Sequence, residues 1–347
     1  LAKKKNKLEQ DLESIECSVE ETLYTPLDYS SVVSTGSTLL DLEISGERIR
    51  GGGLPGGIIV EIFGPPSAGK TALFVEMCAS AQSKGGDVYV ADPEGRLDRE
   101  YASLTGLNIP RNIYSRPKTV SQLADLIRSW KPTDNKEISI FGTDSIAALS
   151  TEMEMESGDK RGQRKAKELS ELCRTLCLRM AEKNTIFVFT NQERQGDFGK
   201  TTPGGFAVPF HASLRLRIAR AKEKFIEESR TINWGDGVKT KETQNVGIKS
   251  TATIVKTSIS SSEGKEVPLD ILFRMGIDDI RANLVWLKKV TEATTFLCVD
   301  KNYVKIRDAI AYIEKNNYEA ALRENVINAW ENINNTFTPR RKSKKRF

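Results

Sequence analysis

The residues that could carry chemistry begin at Gly64. The run Gly64-Pro-Pro-Ser-Ala-Gly-Lys-Thr71 fits the spacing G-x-x-x-x-G-K-[S/T]. It stands between an apolar run, residues 58–63, that reads as a buried strand and a segment, residues 71–83, that reads as a helix. In that setting Gly69 lets the main chain approach a phosphate closely. Amides from Ser67 and Ala68 through Ala72, with the helix N-terminus, hold negative charge. Lys70 reaches the β- and γ-phosphates and the Thr71 hydroxyl binds Mg²⁺. Pro65 and Pro66 have no N–H, so the cradle starts at Ser67. A tight strand–helix turn with no ligand is the competing account.

Three further side chains fall where a parallel sheet would bring them to the same edge. Asp144 ends the apolar strand 138–144, and a carboxylate at that end sits at the ligand edge, where it pairs with Thr71 to hold Mg²⁺. A solvated strand-end acid is the alternative. Glu94, in ADPEGRLD after the strand 88–92, is a candidate general base for water attacking a γ-phosphate. Gln192, after the strand 185–191, can meet the γ-phosphate and report ATP against ADP to the segment that follows.

Two segments leave the same edge and read as mobile loops for nucleic acid. The first, residues 156–167, holds Lys160, Arg161, Arg164, Lys165 and Lys167. The second, residues 193–205, combines Arg194, hydroxyls, glycines and one aromatic, Phe198. Such composition suits backbone phosphate contact and base stacking. A solvated charged helix face is the plainer reading of the first.

The elements that must position these groups follow from periodicity. Strands at 58–63, 88–92, 138–144 and 185–191 alternate with helical patterns, near 119–130 and around Leu169, Leu172, Leu176 and Met180. That pattern predicts a parallel sheet covered on both faces. Segments 214–220, 251–260 and 269–275 predict an antiparallel extension, and the chain turns helical and polar from about Asp279. Leu8, Leu12 and Ile15 make one stripe on a short N-terminal helix that docks on its own core or on another subunit.

Composition bounds the rest. With 38% hydrophobic and 29% charged residues, the chain is neither disordered nor membrane-embedded. Five cysteines without a CxxC, and a single histidine, argue against a disulfide framework or structural zinc. No apolar stretch follows the basic start, so no secretory signal is expected and the predicted compartment is the reduced cytoplasm. The last eight residues carry six positive charges and the first seven carry four, against a net of +5, so the body between them is mildly acidic.

In this order the motifs resemble the RecA family of homologous recombinases. The matching pieces are STGSTLLDL (34–42), GGLPGGIIVEIFGPPSAGKT (52–71), DPEGRLDREYASLTGL (92–107), TDSIAAL (143–149), FTNQER (189–194) and TTPGGFAVPFHASLRLRI (201–218). The resemblance implies an α/β fold. Its RecA-type P-loop ATPase core has a mostly parallel central sheet and an antiparallel extension, with a short N-terminal helix and a small C-terminal helical domain. It implies divisions at 1–33, 34–275, 276–337 and a basic tail 338–347. It implies ATP and Mg²⁺ as cofactors, single-stranded and homologous duplex DNA as partners, and self-assembly into helical filaments.

By the same resemblance Glu94 activates water and Gln192 senses the γ-phosphate. Asp98 and Tyr101 contact adenine. Arg174 touches DNA after the first loop, and Phe198, Gly204 and Gly205 belong to the second. Phe210 and Arg215 match subunit-interface positions, and Lys256 reaches a neighbour's ATP. The usual companion of Lys256 is Ser258 here, the second loop is shorter, and the tail RRKSKKRF is basic where bacterial relatives are acidic. These departures point to a divergent member of the kind a phage or mobile element encodes. A ring-shaped motor of the helicase type, or a non-catalytic DNA-binding scaffold, is the alternative; the intact Lys70, Thr71, Glu94 and Asp144 weigh against a scaffold.

Neutralising Lys160, Arg161, Arg164 and Lys165 together is expected to weaken single-stranded DNA binding. Each lost phosphate contact lowers the log–log salt slope by about 0.7. Titrations across a salt series check this, and an unchanged slope would make the run a solvated face.

Overall fold

The computed structural model describes residues 29–133, 137–157, 162–182, 184–196, 199–203, 207–235 and 239–337. The N-terminal stripe of Leu8, Leu12 and Ile15 and the basic tail lie outside them. The described residues open with helix α1 (Thr38–Ser45), then strand β1 (Ile59–Gly64), α2 (Lys70–Ser83), β2 (Val88–Ala91), α3 (Arg99–Leu104), β3 (Tyr114–Ser115), α4 (Val120–Ser129) and β4 (Ser139–Thr143). It continues with α5 (Glu152–Ser157), α6 (Gly162–Glu182), β5 (Thr185–Gln192), β6 (Arg194–Gly196), β7 (Gly199–Thr201) and α7 (Ala207–His211). The antiparallel part follows as β8 (Leu214–Asn233), β9 (Lys239–Thr257), β10 (Glu266–Leu272) and β11 (Gly276–Ile277). The described residues end with α8 (Asp279–Val290), the short pair β12 (Phe296–Leu297) and β13 (Asn302–Tyr303), α9 (Ile306–Asn316) and α10 (Glu319–Phe337).

One sheet of nine strands, ordered β11-β10-β9-β8-β1-β5-β4-β2-β3, runs through the molecule. From β8 to β3 every pairing is parallel; beyond β8 every pairing is antiparallel. The α/β class, the parallel core and the antiparallel extension are those the periodicity predicts. β1 and β4 are buried along their whole length, as strands covered on both faces must be. On one face α2 packs through Leu73, Phe74 and Met77 against Val60, Ile62 and Val188. Phe74 lies so close to the sheet that a Cβ on Gly142 would stand 2.2 Å from its ring. On the other face Tyr89, Phe141, Phe187 and Phe189 form an aromatic ladder across β2, β4 and β5, with successive centroids 5.0, 5.7 and 5.5 Å apart. Leu123 and Ile127 of α4, with Leu169, Leu172 and Leu176 of α6, cover it.

The antiparallel part departs from expectation. The predicted strand 214–220 continues to Asn233, and its partner begins at Lys239. Pairing with β10 ends at Gly247, so the pairs from Glu227↔Asn245 to Asn233↔Lys239 form a two-stranded ribbon. Seven pairs at about 3.3 Å per residue project about 23 Å beyond the sheet. One face of this ribbon carries Ser229, Thr231, Asn233, Thr243, Lys241 and Lys239. With neither face in the core, no hydrophobic alternation marked it in the sequence.

Two carboxylates, Asp279 and Asp41, tie the C-terminal helices to α1. Asp279 accepts Thr38 N and Oγ1 at 2.7 and 2.6 Å, and Asn283 Nδ2 at 2.8 Å. Asp41, fully buried, accepts Thr35 N and Oγ1, both at 2.7 Å, and lies 3.8 Å from Arg323 of α10. Trp330 donates to Glu43 at 3.0 Å, and Arg50 reaches Glu324, Asn328 and Glu331.

Burial raises the Asp41 carboxyl from 3.8 to about 6, against the opposing hydrogen bonds. The folded chain therefore binds this proton more tightly than the unfolded chain. The resulting stability is present at low pH and is lost as pH rises from about 4 to 6, by about 3 kcal/mol at most. Urea unfolding of native protein and Asp41→Asn should give a stability difference, native minus variant, that falls across this window and is flat above pH 7. A difference independent of pH would contradict the assignment.

Candidate nucleotide and nucleic-acid site

The carboxyl edge of the parallel strands carries the site. β1 ends at Gly64, whose φ of 147° and lack of side chain bring its backbone against Ile218; a Cβ there would stand 2.0 Å from the Ile218 carbonyl oxygen. Ser67 and Gly69 both take left-handed backbone, with φ of 55° and 99°, on either side of Ala68. Such alternation folds successive amides around one concavity. The carbonyls are tied from outside: Arg220 Nε donates to Ser67 O and Ser250 Oγ to Ala68 O, each at 2.7 Å. α2 then starts at Lys70 with no side-chain cap, leaving its first amides for an anion. Gly69 is held to glycine by close packing as well, since a Cβ would meet Ile271 at 2.3 Å.

Lys70 Nζ donates to the carbonyls of Gly64 and Pro65, at 3.0 and 2.7 Å. Burial lowers its pKa, while the charges of Asp144, Glu94 and Glu193 oppose that shift. Thr71 Oγ1 donates to Asp144 Oδ2 at 2.7 Å, and Thr190 holds the other carboxylate oxygen. Burial pushes the Asp144 carboxyl up, and the two threonine hydrogen bonds counter it. Glu94 Oε1 accepts from Ser145 Oγ at 2.7 Å and from Gln192 Nε2 at 3.3 Å, with Arg96 3.2 Å from Oε2. Lys70, Thr71, Glu94, Asp144 and Gln192 therefore share one edge.

A cavity of about 740 Å³ opens from the loop. Ser67, Ala68 and Ala72 of the loop and the start of α2 line it, together with Asp98, Tyr101 and Ile248. Asp98 is the N-cap of α3, accepting Glu100 N and Tyr101 N at 2.9 and 3.2 Å. The Tyr101 hydroxyl is buried without a hydrogen-bond partner, and burial pushes its pKa up to about 12. Apolar walls with a few polar atoms at one end suit a flat base, and the amide cradle suits phosphates. A hydroxyl and a carboxylate are hard oxygen ligands, the set Mg²⁺ takes when phosphates and water supply the others. The residues present thus fit both ATP and Mg²⁺.

Sequence reasoning missed Arg220, Ile248, Ile271 and Arg274, which also line the cavity. They come from the antiparallel strands and their connections, far along the chain, and no local motif marks them.

The nucleic-acid candidates divide. Lys160, Arg161, Phe198, Gly204 and Gly205 lie outside the described residues. Arg194 opens β6, which pairs with β7 from Arg194↔Thr201 to Gly196↔Gly199, so part of the expected loop is a short hairpin. Arg164, Lys165, Lys167 and Arg174 lie on α6. Arg164 reaches Met153 Sδ and Lys165 donates to the Ala147 carbonyl at 3.0 Å, whereas Lys167 and Arg174 are exposed.

Two interface candidates part ways. Phe210 is 77% exposed. Arg215 turns inward instead, with Nε 2.6 Å from the buried Glu61 carboxylate and its guanidinium over the Phe63 ring. Lys256 does not line the cavity of its own chain; it donates to the Pro209 and Phe210 carbonyls at 2.8 and 2.7 Å, at the end of α7. Among the described residues no helix is long and apolar enough to cross a membrane.

Comparison with known proteins agrees with this geometry. Residues 27–278 match the family model of the RecA N-terminal domain. The chain is 33% identical over 300 residues to Protein RecA of Phytoplasma mali, covering 84% of this chain and 79% of that protein. It is 33% identical over 267 residues to Protein RecA of Thermus thermophilus, covering 75% and 72%. A third relative, Protein RecA of Rickettsia canadensis, is 35% identical over 252 residues, covering 71% and 67%. A phosphate cradle on a parallel sheet, an acid pair at its edge and this extent of likeness place the chain in the RecA family.

Proposed function

We propose that the chain is an ATP- and DNA-dependent recombinase that assembles as a helical filament on single-stranded DNA and pairs it with homologous duplex. The observation that carries this reading is the 3.3 Å contact between Glu94 and Gln192. It joins the candidate base to the residue that opens the second DNA segment, so one edge serves both ligands.

In this reading the amides from Ser67 onward and Lys70 bind the triphosphate, and Asp98, Tyr101 and Ile248 orient the base. Thr71 and Asp144 hold Mg²⁺, which neutralises phosphate charge when bound. Glu94 takes a proton from the attacking water, and Ser145 fixes its carboxylate. Gln192 exchanges its hydrogen bond to Glu94 for one to the γ-phosphate, moving the start of the segment 193–205. Lys167, Arg174 and Arg194, with Lys160, Arg161, Arg164 and Lys165, bind the DNA backbone, joined by Phe198, Gly204 and Gly205. The segment 1–33 links subunits, residues 34–275 form the ATPase, residues 276–337 the small C-terminal domain and 338–347 a basic arm. Lys256 acts toward the neighbouring subunit's nucleotide. The compartment is the cytoplasm.

The discriminating experiment is ATP hydrolysis with and without single-stranded DNA, combined with negative-stain imaging. Filaments and stimulated hydrolysis are expected; closed rings would favour a helicase-like motor, and neither would leave a scaffold. Lys70→Ala should abolish nucleotide binding, read with a fluorescent ATP analogue; native binding would remove the phosphate-loop assignment. Glu94→Gln should retain nucleotide binding and slow hydrolysis by about 10²–10⁴-fold, since an amide cannot accept the proton. Native turnover in that variant would place the base elsewhere.

A further inference from the structure

The end of β5 presents two consecutive side chains to opposite faces of the sheet, as strand geometry requires. Gln192 points to the nucleotide edge, where it meets Glu94. Asn191 points to the other face and is buried. Its Nδ2 donates twice, to Glu61 Oε1 at 2.9 Å and to the Pro203 carbonyl at 3.0 Å. Its Oδ1 accepts Gln192 N at 3.0 Å. Both amide hydrogens and one acceptor site are thus engaged.

Glu61 is a firm anchor. It is fully buried in β1, and its second oxygen takes Arg215 Nε at 2.6 Å. Arg215 is itself stacked 4.6 Å over Phe63. Glu193 is held separately by Arg217, which donates from Nε and Nη2 at 2.9 and 3.0 Å. The segment after β5 is therefore fastened at its start by Glu193 and at its return by Pro203. Asn191 is the side chain that touches the return point, the buried anchor and the Gln192 backbone at once.

We propose that Asn191, clamped between Glu61 and the Pro203 carbonyl, is a positioning residue that couples Gln192 to both ends of the segment 193–203. This rests on the ATP- and DNA-dependent reading. Movement of Gln192 shifts its backbone, and the Asn191 side chain carries that shift to Pro203. Without the clamp, Gln192 still meets nucleotide but the far end of the segment no longer follows.

The test is the ratio of single-stranded DNA affinities measured with a non-hydrolysable ATP analogue and with ADP. In Asn191→Ala this ratio is expected to fall about tenfold toward one, equivalent to about 1.4 kcal/mol, while nucleotide affinity without DNA stays native. Asn191→Asp, which keeps the shape but sets a carboxylate against Glu61, should do the same and serves if the alanine variant fails to fold. Combining Asn191→Ala with Gln192→Ala should change the ratio no further than Gln192→Ala alone, as expected of residues acting in series. A native ratio retained in the Asn191 variants, or equal weakening with both nucleotides, overturns the proposal. A ratio near one in the native protein removes the DNA-coupled reading itself, and this inference with it.

Discussion

Everything at the nucleotide edge depends on which way the peptide groups of residues 67–70 point. Amides must face the cavity, so carbonyls must face away, and a carbonyl turned from water needs a donor. Arg220 and Ser250 supply those donors to Ser67 and Ala68. Both come from the antiparallel strands β8 and β9, so the extension of the sheet holds the loop 64–70 in shape. Moving β9 outward would release the Ala68 carbonyl and withdraw Ile248 from the cavity together. The strand order, with β8 and β9 beside β1, is in this sense a requirement of the loop.

The second constraint is charge in low dielectric. Glu61 and Asp41 are buried and Asp144 and Asp279 half-buried, and each is surrounded by donors instead of being left bare. A buried carboxylate with one bond removed is costly, because the remaining groups cannot rehydrate. These side chains fix geometry at three separated places: the Thr71 and Thr190 hydroxyls at Asp144, the end of β5 at Glu61, and attachment of the C-terminal helices at Asp41 and Asp279.

What was legible in the sequence had a local signature. Buried parallel strands such as residues 58–63 and 185–191 read as continuous apolar runs, and Lys70, Thr71 and Asp144 stand at their ends by spacing alone. Glu94 and Gln192 were visible as strand-end residues, but their contact was not, because it spans the sheet. Ile248, Ile271 and Arg220 had no signature, since nothing local distinguishes them from other strand residues. Arg215 stands in the motif at an interface position, and its contact to Glu61, 154 residues earlier, had no local signature either. The segment 193–205 read as loop because short pairings such as Arg194↔Thr201 lack an apolar face. The same lack hid the ribbon.

That ribbon makes β8 two kinds of strand in one. From Leu214 to Arg217 it lies between β1 and β9 inside the sheet; from Glu227 to Asn233 it has a single partner and neither face in the core. Backbone hydrogen bonds of the first kind open only with global unfolding, whereas those of the second open locally. Amide protons along this one strand therefore divide into slow and fast exchangers, with the break at the irregularity between Ile226 and Glu227. The outer half can rearrange, or tolerate inserted residues, without disturbing the Arg220 bond that holds the phosphate loop.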